Sequence, residues 1–477
     1  MRDAIYAFPD PANEPVKTYL KGSPEREALE KELKRQSSIE IEIPLIIGGK
    51  EVRTGNTGKV VMPHDHHHVL ATYHKAGPKE VRMAIDAAMA AHKQWSETDW
   101  TIRASILMKA AELISTKYRA LMNAATMLGQ SKNLNMSPVL MGNVTVWKPS
   151  TTAILSNYYL MQIYKEAGLP DGVVNFIPGK GSVIGAEIFA SKHLAGVHFT
   201  GSSATFNTLW KQVGDNIDNY RTYPRLVGET GGKDFIFVTP TAVAEDVATA
   251  AFCGAFEFQG QKCSAASRMY IPKSLWPKVL EGMKAFAAEA KMGDVCDPDN
   301  FINAVIDEVS FDNIAANIEY ARKSPDAEIV IGGGCDKTKG YFVEPTVIVT
   351  TDPHFKTIEE EIFGPVLTVY VYEDADMDAA VELCDTTSPY GLTGAVFGQD
   401  RLMVQRVADK LRYAAGNFYI NDKPTGAVVG LQPFGGSRKS GTNDKAGGEF
   451  NLIRWAIPRA IKETLVPARG FKYPYMK

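Results

Sequence analysis

Two side chains stand out for the chemistry their surroundings allow. Cys263, in Gly260-Gln261-Lys262-Cys263-Ser264, is the one cysteine of five set in a polar, glycine-containing turn after a predicted helix. A thiol beside a lysine in such a turn ionises more readily, and the thiolate is a nucleophile. The alternative is an inert, packed cysteine, the reading given to Cys253, Cys296, Cys335 and Cys384. Glu229, in Gly228-Glu229-Thr230-Gly231-Gly232-Lys233, has glycines on both sides. A carboxylate so placed can approach a ligand closely and act as a general base for water. Taken alone, it also suits a surface turn.

Three further motifs bear on ligands. Phe199-Thr200-Gly201-Ser202-Ser203 ends a predicted strand in small residues and opens a helix, where backbone N–H groups and the helix dipole can hold a phosphate. Gly179-Lys180-Gly181 through Gly185 is one residue too long for the dinucleotide fingerprint and is read as a tight turn. The run His64-Asp65-His66-His67-His68 invites a metal reading, but it is read as a solvated turn between two short strands, and no metal centre is expected.

These residues must be positioned by larger elements. The first 60 residues, charged and punctuated by Pro and Gly, read as a surface arm. From Lys79 to Lys132 the pattern is helical. A first face is marked by Val81, Ile85, Ala88, Met89 and His92; Asp99 caps a second helix with Ile102, Ile106, Leu107, Ala110 and Leu113 inward. Strands Val144–Trp147, Val173–Ile177 and Gly196–Phe199 then alternate with helices Thr152–Glu166 and Val183–Ser191, the pattern of βαβ units and a parallel sheet. After Glu229 a second alternating block follows. Its strands are Phe235–Val238, Met269–Ile271, Glu328–Ile331, Leu367–Tyr372, Gly394–Phe397 and Asn417–Ile420. Helices near 243–258, 274–290, 308–323, 376–385 and 401–411 separate them. The tail Phe450–Leu465 is expected to return as a β-rich extension.

Composition sets outer limits. The 477 residues carry 52 Lys+Arg against 55 Asp+Glu, a formal charge of −3, so no basic surplus points to a nucleic acid. No uncharged apolar run reaches the roughly 18 residues of a membrane helix. Five cysteines is an odd number and suggests free thiols in a reducing compartment. The N-terminal twenty residues resemble neither a secretory signal nor an Arg-rich transit peptide.

The ordered motifs resemble those of the aldehyde dehydrogenase superfamily. They are Lys148-Pro149-Ser150, Phe199-Thr200-Gly201-Ser202, Glu229-Thr-Gly-Gly-Lys233, Gly260-Gln-Lys-Cys263, Glu361-Ile-Phe363-Gly-Pro365 and Pro433-Phe434-Gly-Gly436. GSPERE at 22–27, Tyr223-Pro-Arg-Leu226, YFVEP at 341–345, NFYINDKPTGAVVG at 417–430 and SGTNDKAGG at 440–448 are similar to the branch that oxidises L-glutamate γ-semialdehyde.

The resemblance implies an α/β fold of aldehyde-dehydrogenase type, with a nucleotide-binding parallel sheet one strand short, an α/β catalytic domain and a β-rich oligomerisation extension. The implied limits are 1–228 for the arm and NAD-binding domain, 229–435 for the catalytic domain and 436–477 for the C-terminal return. It implies NAD as cofactor, a small-molecule substrate, neither nucleic acid nor membrane as partner, a homodimer or higher homo-oligomer, and the mitochondrial matrix. Cys263 would be the nucleophile and Glu229 the base for the hydrolytic water. Lys148 and Ser150 would lie at the adenosine ribose; Gly201, Ser202, Ser203, Ala204 and Thr205 at the pyrophosphate; Glu361 at the nicotinamide ribose with Phe363 beside it. The substrate's α-carboxylate would meet Ser264, Gly426 and Ala427, with Phe434 on its aliphatic stem.

One departure from the family pattern has a chemical consequence. Gly129-Gln130-Ser131-Lys132 runs almost directly into Met136 to Asn143, and the family's Pro-x-Asn-Phe segment, expected there with a strand, a helix and a β-ribbon, is absent near 133–138. Neither Asn133 nor Asn135 replaces the missing asparagine, a donor to the oxyanion of the thiohemiacetal. The expectation is therefore a dehydrogenase with nucleophile and base in place but impaired. Two other readings stay open: a shortened, non-catalytic chain, and a dehydrogenase for another semialdehyde.

Overall fold

A computed structural model describes residues 13–129, 140–428 and 430–476. Its largest sheet has seven strands, in the order Ala327–Ile331, Thr346–Thr350, Val366–Tyr372, Ala266–Pro272, Asp234–Val238, Thr393–Phe397 and Asn417–Ile420. All pairings are parallel except that of the edge strand Ala327–Ile331 with Thr346–Thr350. The central strand Asp234–Val238 is buried along its whole length, as expected where helices cover both faces. Ile236 and Val238 pack with the helices Ala244–Phe256 and Trp276–Glu289. Phe235 and Phe237 point to the opposite core, with Met377–Thr386 and Arg401–Lys410. All six strands expected after Glu229 are present; Thr346–Thr350 is an addition.

The strands before Glu229 form smaller sheets. Thr145–Trp147 runs parallel to Val174–Phe176, which pairs with Leu45–Ile47 and, through it, Lys50–Val52. Gly196–Thr200 pairs in parallel with Arg225–Glu229 as a separate two-stranded sheet. Among the described residues no ladder joins the two pieces. Trp455 touches both. Asn143 Nδ2, just before one strand, donates to its carbonyl oxygen at 3.1 Å, and its ring lies 5.8 Å from that of His198 in another.

Several expectations need correction. The first 60 residues are more than an arm. Ser23 caps and Pro24 opens the helix Pro24–Ser37, with Glu25 and Glu27 in its first turn, Lys34 and Arg35 in its last, and Leu29 and Leu33 buried. That placement of charge matches the helix dipole. Ile41–Ile43, Asp65–His74 and Thr57–Met62 make a three-stranded sheet, so His66 to His68 lie in a strand and His64 is buried. The helix Pro78–Glu97 buries Val81, Ala84, Ala88 and Trp95, while His92 is exposed. Asp99 caps Trp100–Ser115 as expected, accepting from the Thr101 N–H at 3.0 Å. Of that helix's expected inward residues only Ala110 is buried, and Ile102 is 49% exposed, with nothing described over it. The expected β-rich tail is instead a short helix, Glu449–Ile453, followed by irregular chain without a partner strand among the described residues. Backbone groups with no neighbouring strand cannot form a ladder. Residues 130–139, including Asn133 and Asn135, lie outside the described residues.

Candidate active site

The candidate site lies where two sets of strand ends meet. Thr145–Trp147, Gly196–Thr200 and Arg225–Glu229 deliver their C-terminal ends to it, leading into Lys148, Gly201 and Thr230. The large sheet offers its N-terminal side instead: Lys233, Cys263 and Glu361 each stand shortly before a strand. Ligands of open parallel sheets bind at carboxyl ends of strands, so the first set is the natural cofactor wall.

Glu229 is the last residue of its strand and 8% exposed. The Ser440–Thr442 segment holds it in place. The Thr230 N–H donates to Ser440 O at 2.9 Å, the Thr442 N–H to Gly228 O at 3.0 Å, and Glu229 pairs with Gly441. The next turn, Gly231-Gly232, meets the Cys263 turn at a distance that forbids a side chain. A Cβ on Gly232 would lie 1.9 Å from the Cys263 carbonyl oxygen. Glu361 binds the same turn, its Oε2 accepting from the N–H groups of Gly232 at 2.7 Å and Lys233 at 3.0 Å. On the other side, the Gly201 N–H donates to Glu229 O at 3.1 Å. Thus Glu229, Cys263, Glu361 and the Gly201–Thr205 turn share one short stretch of backbone.

The phosphate-type turn has the expected form. Ser202 caps the helix Ser203–Asp215, its hydroxyl accepting from the Thr205 N–H at 3.2 Å and lying 2.8 Å from Thr205 Oγ1. Ser203 Oγ donates to Lys439 O at 3.2 Å and lies 3.3 Å from Tyr390 Oη; Ala204 completes the turn. The uncapped N–H groups of this helix turn suit a pyrophosphate as donors, and the Glu361 carboxylate, 129 residues from Gly232 in sequence yet on the same turn, suits a ribose diol as acceptor. Phe363, 37% exposed, holds a φ of 60° beside Glu361. Lys148 and Ser150 sit just past the strand Thr145–Trp147. The Lys148 ammonium donates to Pro149 O at 2.8 Å, and burial lowers its pKa; Ser150 Oγ lies 2.9 Å from Thr152 Oγ1.

The residues expected at the substrate lie beside the neighbours of Cys263 and Glu229. Ser264 is buried, its hydroxyl 2.8 Å from that of Thr425. Gly426, at φ 93°, and Ala427 follow directly. Phe434 is paired through its backbone with Ala446, at 2.8 and 2.7 Å. Its neighbour Gly435 approaches Glu229 so closely that a Cβ would lie 3.0 Å from Oε1.

Two features correct or extend the sequence reading. Lys262, expected to favour the thiolate of Cys263, has its ammonium 2.9 Å from the Glu257 carboxylate, which also pairs with Lys423 at 2.6 Å. Its field at the thiol is offset. Lys445, within SGTNDKAGG, carries no signal of its own in the sequence. Its ammonium donates to Gly416 O at 2.7 Å and Gly435 O at 2.9 Å. Burial lowers its pKa and the charge of Glu229 opposes that shift. Lys233, 1% exposed with a pKa lowered to about 8 by burial, stands in the same region and feels Glu361.

Comparison with known proteins shows the family. The model of the aldehyde dehydrogenase family matches residues 51–137 and 133–456. The chain belongs to the aldehyde dehydrogenase family. The two matched stretches meet at 133–137, where the sequence breaks from the family pattern. The mitochondrial delta-1-pyrroline-5-carboxylate dehydrogenase of Dictyostelium discoideum is 44% identical over 98% of this chain and 96% of its own. That alignment extends over 536 residues, more than this chain possesses, so the relative has residues without a counterpart here. The human protein of the same name is 42% identical over 98% of this chain and 94% of its own. Among solved structures, delta-pyrroline-5-carboxylate dehydrogenase from Mycobacterium tuberculosis bound with NAD superposes with a TM-score of 0.95 at 41% identity, covering 100% of both chains. This family member is an NAD-dependent aldehyde dehydrogenase by fold and kinship. Among the described residues, no helix is long and apolar enough to cross a membrane.

Proposed function

We propose that the chain oxidises L-glutamate γ-semialdehyde, the open form of delta-1-pyrroline-5-carboxylate, to L-glutamate with NAD, a step of proline degradation. The observation that carries this reading is the contact of the Gly231-Gly232 turn with the Cys263 backbone, which sets the turns of Glu229 and Cys263 side by side. Gly201, Ser202, Ser203, Ala204 and Thr205 would hold the pyrophosphate of NAD, Lys148 and Ser150 its adenosine ribose, and Glu361 with Phe363 its nicotinamide end. When bound, NAD accepts the hydride that leaves the substrate carbon.

The chain's own residues do the rest. The Cys263 thiolate adds to the aldehyde carbon and forms a thiohemiacetal; after oxidation the carbon remains on Cys263 as a thioester. Glu229 takes a proton from water, which attacks the thioester and releases glutamate and the thiol. The hydroxyl pair of Ser264 and Thr425, with the backbone at Gly426 and Ala427, would receive the α-carboxylate, and Phe434 the methylene stem. Placement of these limits follows the same reading: a cofactor domain to residue 228, a catalytic domain from 229 to 435, and a C-terminal return that joins copies of the chain. The names of the mitochondrial relatives support a mitochondrial location, and the matrix is the compartment proposed.

The interior asparagine donor of the family is missing, and loss of one oxyanion donor costs about 2.7–4 kcal/mol, or roughly 10²–10³ in rate. The proposal is thus a slow enzyme of intact chemistry. The break between the two cofactor-side sheets favours a second reading, a folded chain without turnover. Purified chain supplied with NAD and the semialdehyde should generate NADH, faster than with succinic semialdehyde, and Cys263→Ser should abolish it. A soluble, cooperatively melting chain with no NADH formation would establish the second reading, and a Cys263→Ser variant at the parent rate would refute the nucleophile.

A further inference from the structure

The histidine run contains one member that the dehydrogenase chemistry leaves unused. His64 sits in the turn between the strands Thr57–Met62 and Asp65–His74 and is 6% exposed. The turn docks on the part of the chain that carries the large sheet. The Tyr341 N–H donates to Pro63 O at 3.0 Å and the His66 N–H to Lys339 O at 3.0 Å. A Cβ on Gly340 would lie 2.5 Å from His64 O, so the approach is close. Facing His64 is a second turn, at 294–297, in which Asp294 Oδ1 accepts from the Cys296 N–H at 2.8 Å and Asp294 O from the Asp297 N–H at 3.1 Å. His64 Nε2 lies 3.2 Å from Asp294 Oδ1. One ligand atom each from His64, Asp294 and Cys296 falls within 4.8 Å of the others.

We propose that His64, Asp294 and Cys296 bind a divalent cation of the zinc type, bridging the N-terminal three-stranded sheet to the 294–297 turn. The donor set carries the choice of metal. An imidazole nitrogen, a carboxylate oxygen and a thiolate sulfur are all ligands of zinc, whose bonds of about 2.0–2.3 Å separate tetrahedral ligands by roughly 3.5 Å. Asp294 and Cys296 are exposed, so their side chains can close the remaining distance. Water would take the fourth position.

The charges also balance. One thiolate and one carboxylate neutralise the dication, the imidazole binds neutral, and the thiol proton passes to solvent. Asp65 lies within electrostatic range of His64 on the favourable side and Lys339 on the unfavourable. The site is built from turns remote in sequence from Glu229 and Cys263, and it does not depend on the proposed activity.

Cobalt(II) added to the full chain tests it, because a cobalt-bound thiolate absorbs in the near ultraviolet. The expected result is one equivalent bound with that band, displaced by one equivalent of zinc chloride. Cys296→Ser, at an exposed position, should remove the band and leave any NADH-forming rate unchanged. Asp294→Asn and His64→Gln should weaken zinc binding by roughly tenfold or more. Absence of binding, a band that persists in Cys296→Ser, or a band lost only in Cys263→Ser would overturn the proposal.

Discussion

The two walls of the cleft differ in continuity. On the side of Cys263 and Glu361, seven strands form one unbroken ladder, with packed apolar clusters on both faces. On the side proposed for the cofactor, the strands divide between a four-stranded sheet leading to Lys148 and a two-stranded sheet ending at Glu229. Among the described residues, side contacts and no ladder hold the second piece to the first. Thr442 and Ser440 bond the backbone around Glu229, and Trp455 fills the space against Gly196, where a Cβ would meet its ring at 2.7 Å. The difference teaches that the covalent chemistry and the cofactor can be affected separately by one interior shortening. Around the thiol the sheet is continuous, while the frame proposed for the cofactor is, among the described residues, two pieces joined by the C-terminal segment.

The comparison is most strongly perturbed by repairing the weaker wall. Inserting the interior segment of a full-length relative between Lys132 and Met136 should raise kcat by roughly 10²–10³, the worth of one oxyanion donor. A stopped-flow NADH assay reads it, and an unchanged kcat in a folded insert would mean that the break does not limit the enzyme. Next in size is damage to the stronger wall. Gly232→Ala places a methyl group 1.9 Å from the Cys263 carbonyl oxygen, so the two turns must separate. A displacement near 1 Å should lower kcat about 10²-fold, and a rate within twofold of the parent would show that the contact does not position the thiol.

A smaller effect is expected where the walls meet at Glu229. Gly435→Ala brings a methyl group to 3.0 Å from Glu229 Oε1. Thioester hydrolysis should slow by about tenfold while the first burst of NADH persists, because the base acts after the hydride step. Loss of the burst itself would assign the effect to the cofactor side.

A last perturbation, of stability and not of rate, is pH. Burial lowers the pKa of His198, on the two-stranded piece, from 6.5 to about 4, with Asp444 opposing the shift. Between those values the unfolded chain binds a proton that the folded chain does not. Stability from this group is therefore full above about pH 6.5 and is lost as the pH falls toward 4, by up to about 3 kcal/mol. His64, also lowered by burial, acts in the same sense. Urea denaturation across that range should show a shallower loss for His198→Gln than for the parent, and equal slopes would remove His198 from the account.

Much of this organisation is legible in the sequence because strand and helix periods differ. The buried run Asp234–Val238 and the glycine-closed helix Ile154–Ala167, with Gly168 at φ 97°, are both local patterns. So are the capping residues Asp99 and Ser202. The site motifs are legible too, since Gly232 and Gly435 stand where a side chain would collide. What escapes is non-local. The helix Pro24–Ser37 is hidden by its charged face, although Leu29 and Leu33 anchor it. Lys262 reads as a neighbour of Cys263, and only the fold brings Glu257 to its ammonium. Lys445, Thr425 and Tyr390 meet the site across long loops. His64 finds Asp294 and Cys296 more than two hundred residues away. The tail after Ile453 has apolar residues in plenty, yet a strand needs a partner that its own sequence does not name.

The most direct test of two intact reacting groups on unequal walls is to stop the reaction half-way. The Glu229→Gln chain, given NAD and L-glutamate γ-semialdehyde, quenched in acid and digested, should yield a peptide carrying a glutamyl thioester on Cys263, with one equivalent of NADH. A Glu229→Gln chain that carries no adduct on Cys263, or that carries it on another cysteine, would contradict the account.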